Sequence, residues 1–367
     1  MRDSVSSNNS VRLHLTNVIG AGATQLLQSL LPALECDAKY FIERIELPER
    51  GELATYRSGC TKTTTEKYNR FLPNSLSRIL ECTWLANQFD GDSPLLVLGD
   101  LPLRCRGAQT VFVHQSNLLY PKKFLWRFDY IKYALSRLIF RLSMARIHAF
   151  IVQTDTMRSA LEQSYPEIIG RVHVVAQPVP IWLLHSGIKR NERVGYVGEG
   201  LNLIYPAAGY PHKNHALLSH FNASTNTLIE RLTLTLEPSD NPAPQLPFIF
   251  CSGFLLSQEM IEAYSNVDAL LFLSKKESYG FPLVEAMFVG LPIVCPDLPY
   301  AHELCGDQAI YFDSDQPESL NQALCTLQSR LDLGWWPDWK ERLRSIPASW
   351  EEVARSILEI TCSSHQE

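Results

Sequence analysis

The chain has 367 residues, a formal net charge of -6 and a hydrophobic content of 46%. This length suits two domains that each bury a core, whereas the net charge argues against a general nucleic-acid binder and no apolar run reaches the ~20 residues that span a bilayer. The polar start, MRDSVSSNNS, lacks the apolar core of a signal peptide, and nine scattered cysteines without a C-x-x-C pair favour reduced thiols and a cytoplasmic location.

The first elements of the chain surround a glycine-rich turn. Val11–Ile19 is predicted as a strand that runs into Gly20–Thr24, followed by a short helix, Gln25–Leu31, that ends before Pro32. Glycines such as Gly22 let the chain turn tightly and let a ligand approach the backbone, so a simple turn and a site-lining loop both remain open. The polar stretch Arg50–Tyr68 is predicted as a surface loop or an irregular insertion.

Two further strands of this half end in polar residues. Ser93–Leu98 is predicted to end at Gly99-Asp100, and Thr110–His114 is followed by Gln115-Ser116-Asn117. Ligand sites of open α/β sheets lie beyond such strand ends, which makes His114 a candidate. On position alone, a lone histidine is more often structural than catalytic.

A basic segment, Lys122–Arg146, follows. It carries seven cations against the single Asp129, with aromatic residues between them, and its apolar positions recur at helical spacing over 128, 131, 135, 138, 139 and 142. One interpretation is an amphipathic helix packed on its domain with a solvated basic face. The other is a helix that docks on an anionic membrane surface, where aromatic and cationic residues suit the headgroup boundary.

In the second half, Leu201–Tyr205 is predicted as a strand that leads to Lys213 at the start of a helical turn, where a lysine suits a phosphate. A solvated surface lysine is the commoner alternative. Pro247–Cys251 is another strand, followed by Gly253, and Gln258–Ser265 is a helix. Val267–Ser274 is an apolar run typical of a strand buried on both faces.

The most informative stretch is S-K-K-E-S-Y-G-F-P-L-V-E-A-M-F-V-G-L-P-I-V-C, residues 274–295. Pro282 suits a first helical turn and Gly290 a helix end. The free amides of Gly280 and Phe281 would then bind a diphosphate. Glu285 could hold the vicinal hydroxyls of a ribose, and Glu277 could reach the group beyond the phosphates, which together would fit a nucleotide sugar.

This pattern resembles the E-x7-E signature of retaining nucleotide-sugar glycosyltransferases of family 4 (glycosyl transferases group 1), and the P-H-K-N-H run around Lys213 resembles bacterial surface-polysaccharide mannosyltransferases of that family. The resemblance implies a GT-B fold, an α/β architecture of two Rossmann-like domains whose parallel sheets face across a cleft. The domains expected are 1–178 on the acceptor side, 179–348 for the nucleotide sugar, and a helix in 349–367 that crosses back.

The resemblance also implies the site. Glu277 and His114 would act on the donor sugar, Lys213 would bind the diphosphate, and Glu285 would bind the ribose. Gly22 would border the cleft and Gly253 the nucleotide base. One departure concerns an arginine that many members carry shortly before the lysine, where this chain has Ala207-Ala208-Gly209. Lys275, Lys276 or the backbone amides are candidates to replace its charge.

The expected reaction is transfer of a hexose, with mannose favoured, from a nucleotide diphosphate sugar to a glycan acceptor with retention, in bacterial surface polysaccharide synthesis. The acceptor could be lipid-linked. In that case it would lie at the membrane surface, where the membrane interpretation of Lys122–Arg146 places the enzyme. The alternatives are a nucleotide-sugar epimerase of the same fold and an inactive sugar-nucleotide-binding scaffold. No cofactor or metal is expected, because no His/Cys cluster has ligand spacing and the triplets at 90–92 and 313–315 are interpreted as turns.

Overall fold

The computed structural model describes residues 9–18, 21–70, 72, 74–84, 87–119, 128–194, 200–221 and 227–363. The chain divides into two compact units, one formed by Met1–Gln177 together with Pro347–Glu367 and the other by Pro178–Ile346. The predictions made for Ile19, for Gly20 and for residues 121–127 of the basic segment lie outside the described residues.

The first unit contains a parallel seven-stranded sheet in the order β3-β2-β1-β4-β5-β6-β7. Its central strands are almost completely buried, and polar side chains such as Arg12, His14 and Gln109 are among the buried residues, as expected for strands that are covered on both faces. The strands are β1 Ser10–His14, β2 Phe41–Leu47, β3 Thr64–Lys67, β4 Leu95–Val97, β5 Gln109–Phe112, β6 Ile147–Val152 and β7 Val172–Val174. The helices before the second unit are α1 Ala21–Glu35, α2 Asn74–Thr83, α3 Phe128–Ser143 and α4 Asp155–Ser164.

Helix α1 corrects the prediction of a short helix that ends before Pro32. The helix continues through Pro32 to Glu35, and the carbonyl of Pro32 accepts a hydrogen bond from the N–H of Cys36 at 3.1 Å. A proline inside a helix forfeits one hydrogen bond. Burial of the leucine face on both sides of the proline offsets that loss; its members are Leu26, Leu27, Leu30, Leu31 and Leu34.

The prediction of a loop over Arg50–Tyr68 is also wrong in part. Thr64–Lys67 forms β3, an edge strand that pairs in parallel with β2. All of its side chains are exposed. An edge strand with polar side chains shows no apolar alternation, which is why the sequence pattern indicates a loop.

The second unit contains a parallel six-stranded sheet in the order β10-β9-β8-β11-β12-β13. The α/β class predicted from the sequence is therefore confirmed in both units. The strands are β8 Leu201–Tyr205, β9 Ile229–Leu234, β10 Ile249–Cys251, β11 Ala269–Leu271, β12 Ile293–Pro296 and β13 Ile310–Phe312. The helices are α5 Ile181–Leu184, α6 Ser257–Ser265, α7 Phe281–Val289, α8 Pro299–Cys305, α9 Pro317–Asp332 and α10 Lys340–Arg344.

The last helix, α11 Trp350–Ser363, belongs to the first unit. It packs against α1 and reaches strands β1, β5 and β6. Its inward face is apolar at helical spacing and fully buried, at Val353, Ala354, Ile357 and Leu358. The C-terminal segment thus completes the core of a unit whose other residues all lie before position 178.

Candidate functional site

Helix α7 begins at the glycine that the sequence singles out. Gly280 is its N-cap with φ 100°, in the left-handed region that favours glycine, Pro282 lies in the first turn, and Gly290 ends the helix with φ 95°. A β-carbon on Gly280 would lie 3.3 Å from Cδ1 of Leu283. Within the described residues, the N–H groups of Gly280 and Phe281 have no hydrogen-bond acceptor. The predicted helix boundaries are confirmed, and the helix start presents amides that suit an anion.

Lys213 and Glu277 are brought together by neighbouring strands. Lys213 follows β8 and Glu277 follows β11, which pair in parallel, and the Lys213 ammonium lies 2.5 Å from Oε1 of Glu277. Both side chains are largely buried, with exposures of 17% and 12%. Lys213 and Glu277 thus form a partly desolvated ion pair, and Glu277 lies four residues before the start of α7.

The backbone around Lys213 is fixed on both sides. The Tyr205 hydroxyl donates to the Lys213 carbonyl at 2.7 Å, and the Lys275 N–H donates to the His212 carbonyl at 2.8 Å. Asn214 follows with φ 58°. These contacts fix the backbone that carries the lysine side chain, which reduces the entropy lost on binding.

Two histidines flank this lysine. Burial and the Lys213 charge lower the pKa of His215 to about 4, and the same two causes, in the same order, lower the pKa of His212. Both rings are therefore neutral at physiological pH, so Lys213 supplies the positive charge of this turn.

Lys275, a candidate to replace the missing arginine, is engaged elsewhere. Its ammonium pairs with Asp315 at 2.6 Å, and both side chains are exposed. The residue contributes its backbone N–H to the turn that carries Lys213, as described above, rather than its charge. Among the candidates to replace the charge of the missing arginine, the backbone amides at the start of α7 have a geometry that suits a phosphate.

Glu285 is the fifth residue of α7 and its side chain is buried. The hydroxyl of Tyr264, on α6, donates to Oε2 of Glu285 at 2.7 Å. The sequence gives no signal for Tyr264, because it precedes Glu285 by 21 residues on another helix. A buried carboxylate needs such donors, since an unpaired buried charge is costly.

Gly253 lies beyond β10, two strands from β8 in the sheet. Its φ of 74° requires glycine, and its N–H donates to the Leu236 carbonyl at 2.8 Å. A β-carbon here would lie 3.5 Å from Oε1 of Glu237. Gly253 is therefore a constrained turn residue beside a carboxylate.

In the first unit, the backbone N–H of His114 donates to Oδ1 of Asp100 at 2.6 Å. The ring stacks on Phe112 with the centroids 4.2 Å apart, and its buried Nε2 has no hydrogen-bond partner among the described residues. Burial lowers the pKa of His114 to about 3, so the ring is neutral. Burial also raises the pKa of Asp100 to about 6.

Gly22 corrects a third prediction. It is the second residue of α1 and not part of a loop before that helix. Apart from its chain neighbours and the backbone of its own helix, no atom of the described residues lies within 4 Å of the position of an added β-carbon, so close packing with them does not require a glycine there. A polar cluster at the end of β1 was not predicted: the Arg70 guanidinium binds Glu81 at 2.8 Å and Asn17 Oδ1 at 2.7 Å, and all of these side chains are largely buried.

In the basic segment, neither the predicted apolar face nor the predicted basic face matches the structure completely. Arg137 is buried and donates to the carbonyls of Asn117 and Leu119 at 3.1 and 3.2 Å, while Arg141 pairs with Glu167 at 2.6 Å. The apolar positions expected to face the core are instead partly exposed, at Leu135, Leu138 and Leu142. Ile139 and Phe140 fill the core because the helix is rotated to place Arg137 against the backbone carbonyls. The prediction of a fully solvated basic face is therefore wrong at Arg137.

Within the described residues, no group of three or more His, Cys, Asp or Glu side chains could hold a metal ion. The triplet at 313–315 forms a turn, since Asp313 accepts from the Asp315 N–H at 2.9 Å, whereas Asp90 accepts from the more distant Arg106 N–H at 2.6 Å. None of the described helices is both long and apolar enough to cross a membrane.

Comparison with known proteins supplies the family context. Residues 238–330 match a family described as "Glycosyl transferases group 1". The O-antigen chain mannosyltransferase RfbU of Salmonella typhimurium is 22% identical over 240 residues, which are 61% of this chain and 62% of that protein. The chain thus matches about three fifths of that relative's length.

Two solved structures cover nearly the whole chain. Sucrose-phosphate synthase from Thermosynechococcus elongatus has a TM-score of 0.66 at 12% identity, over 97% of this chain and 99% of that one. WaaG, a glycosyltransferase involved in lipopolysaccharide biosynthesis, has a TM-score of 0.60 at 15% identity, over 96% and 99%. The chain therefore has the GT-B fold, and its residues 238–330 match the glycosyl transferases group 1 family.

Proposed function

We propose that the chain transfers a hexose from a nucleotide diphosphate sugar to a glycan acceptor with retention at the anomeric carbon. The observation that carries this proposal is the Lys213–Glu277 ion pair at 2.5 Å, just before a helix start with unpaired amides. A diphosphate would bind the lysine and the amides. Its charge would release Glu277 from the lysine toward the sugar beyond the phosphates.

The remaining roles follow from the same geometry and from the family resemblance. Glu285 accepts hydrogen bonds from the ribose hydroxyls, and Gly253 borders the base. Glu277 stabilises the transition state without attacking covalently, while the leaving phosphate takes the acceptor proton on the same face. The assignment of His114 to the donor sugar stays a prediction from the resemblance.

Mannose is the proposed hexose and O-antigen or a similar surface polysaccharide the proposed product. The support comes from the names of the curated relatives, the O-antigen chain mannosyltransferase RfbU and the serotype-specific mannosyltransferase WbdA of Escherichia coli. The phosphate charge is met by Lys213 and the helix amides, so we propose a reaction without a metal.

We further propose that the acceptor is lipid-linked and that α3 contacts the membrane surface. The support is the row of exposed leucines 135, 138 and 142, which share one helix face at i, i+3 and i+7 spacing. This contact would be more apolar than the sequence suggests, because the described cations of the segment have partners within the unit.

The test is incubation of the protein with nucleotide sugars, including GDP-mannose, and a lipid-linked glycan extract from a bacterium with a mannose-containing O-antigen. We expect release of the nucleoside diphosphate together with an elongated glycan, and NMR of the new linkage should show the anomeric configuration of the donor. An inverted linkage would refute retention. Formation of an epimerised sugar would instead indicate a nucleotide-sugar epimerase. Nucleotide binding without turnover would indicate an inactive sugar-nucleotide-binding scaffold.

A further inference from the structure

Tyr264 and Glu285 form a buried hydrogen-bonded pair between two helices of the second unit. Tyr264 has no exposed surface and Glu285 is 4% exposed, and the hydroxyl oxygen lies 2.7 Å from Oε2. Tyr264 lies next to the last residue of α6, whereas Glu285 is central in α7. The contact is therefore part of the packing between the helices.

Arg190 holds the ends of these two helices together. Its guanidinium donates to the carbonyls of Ser265 and Val267 at 2.6 and 3.0 Å, just after Tyr264. Its backbone N–H donates to the carbonyl of Val289, the last residue of α7, at 2.7 Å. The distance between the Tyr264 and Glu285 backbones is thus fixed by contacts that involve neither side chain.

The proton on this hydrogen bond belongs to the tyrosine. Burial, and then the charge of Glu285, raise the pKa of Tyr264 well above that of an ordinary tyrosine, so the hydroxyl keeps its proton at physiological pH and acts as the donor. A carboxylate has about four acceptor positions on its two oxygens. The hydroxyl occupies one of them and so restrains rotation of the carboxylate about its last bond.

We propose that Tyr264 is a positioning residue that orients the Glu285 carboxylate to accept hydrogen bonds from both ribose hydroxyls of the nucleotide donor. This inference rests on the proposed function, because it needs Glu285 at the ribose. Tyr264 itself does not touch the ligand. Its effect is on selectivity for the ribose diol, since a rotated carboxylate can meet one hydroxyl but not both.

The experiment compares two ligands on each variant by calorimetry. One ligand is the tightest binder among GDP, UDP, ADP and CDP, and the other is its 2′,3′-dideoxy analogue. Wild-type protein should prefer the ribose form about 10- to 150-fold, the range for hydrogen bonds to a charged group. Tyr264→Phe should lower this preference at least about threefold while binding the dideoxy analogue as wild type does.

Tyr165→Phe is the matched control. Its hydroxyl is equally buried and donates to the Leu118 carbonyl at 2.7 Å, but it lies in the first unit. We expect this variant to retain the full preference. A merely structural role of Tyr264 would weaken both ligands equally and leave their ratio unchanged, which would overturn the inference.

A second variant covers the case in which Tyr264→Phe does not fold. Glu285→Asp keeps the charge and the tyrosine but withdraws the carboxylate by one methylene, so the preference should fall as it does in Tyr264→Phe. Full preference in Glu285→Asp would contradict a positioned carboxylate. If wild-type protein itself binds the two ligands equally, the assignment of Glu285 to the ribose in the proposed function fails. If wild-type protein prefers the ribose form and both variants keep the full preference, the positioning role alone fails.

Discussion

The ammonium group of Lys213 lies 2.5 Å from Oε1 of Glu277, although the two residues are 64 positions apart in the sequence. The parallel sheet explains their proximity. Lys213 follows β8 and Glu277 follows β11, which are neighbours, and the carboxyl ends of parallel strands meet at one sheet edge. The pair therefore places a cation and a carboxylate at the sheet edge where such sheets bind ligands.

Replacing Lys213 tests the phosphate assignment. Lys213→Met should weaken nucleoside diphosphate binding about 10- to 150-fold, because one charge-assisted contact is lost. The nucleoside without phosphates should bind both proteins equally. Lys275→Met is the control, since that lysine pairs with Asp315 on the surface. Unchanged diphosphate affinity in Lys213→Met would remove this residue from the site.

Replacing Glu285 tests the ribose assignment. Glu285→Ala should weaken donor binding about 30- to 150-fold, because a buried charged acceptor is lost. Glu262→Ala removes an exposed carboxylate from the neighbouring helix α6 and should leave affinity unchanged. Circular dichroism would establish that both variants fold. Equal donor affinity in Glu285→Ala and wild type would contradict the assignment.

The sequence predicts the boundaries of α7 more accurately than it predicts the polar strands of either unit. Around α7, a glycine at each helix end and a proline in the first turn fix the boundaries locally, and the prediction is confirmed there. The edge strand β3 and strand β9, with the sequence I-E-R-L-T-L, carry polar residues that hide their periodicity. Tertiary contacts determine that these segments form strands, so the local sequence pattern does not reveal them.

The same distinction applies to the site. The residue types and spacing of Glu277, Gly280 and Glu285 could be recognised because they lie within one stretch of sequence. Tyr264 and Arg190 support that stretch from distant positions, and only folding brings them together. The orientation of α3 was missed because a buried arginine that binds backbone carbonyls looks, in sequence, like a solvated cation.

A chelator should leave the transfer reaction intact. The diphosphate charge would be met by Lys213 and the amides of α7, and an aspartate of each triplet accepts a hydrogen bond from a backbone N–H. We expect transfer rates with EDTA to equal those with magnesium. Full loss of activity in EDTA, restored by magnesium or manganese, would refute the proposal of a metal-free reaction.

Stability should fall in acid partly because of His114. Its pKa is about 3 in the folded state and about 6.5 in the unfolded chain, so the unfolded state binds a proton first as the pH falls. The stabilisation is complete above pH ~6.5 and is lost progressively below it. Between pH 7 and pH 5 this linkage amounts to about 2 kcal/mol of unfolding free energy.

The variant His114→Gln isolates this contribution. Urea titrations at both pH values should show a smaller pH dependence in the variant, by about 2 kcal/mol. Asp100, whose pKa is raised to about 6 by burial, acts in the opposite direction but is present in both proteins. An identical pH dependence in wild type and variant would show that the His114 ring is accessible to protons in the folded state.

The leucine row of α3 provides the test of membrane contact. Leu138 and Leu142 are 52% and 70% exposed, and inserting such side chains among lipids contributes about 1.5–3 kcal/mol each when burial is complete. The variant Leu138→Ser/Leu142→Ser should therefore reduce co-sedimentation with anionic vesicles at least about tenfold. Leu333→Ser, which changes an 88% exposed leucine in the second unit, should not reduce it.

Charge reversal at Arg137 is unsuitable as a test of membrane contact, because that residue is buried against carbonyl groups. Binding that persists when salt screens the lipid charge would favour apolar insertion over cation attraction, and absence of wild-type binding at low salt would contradict the contact altogether.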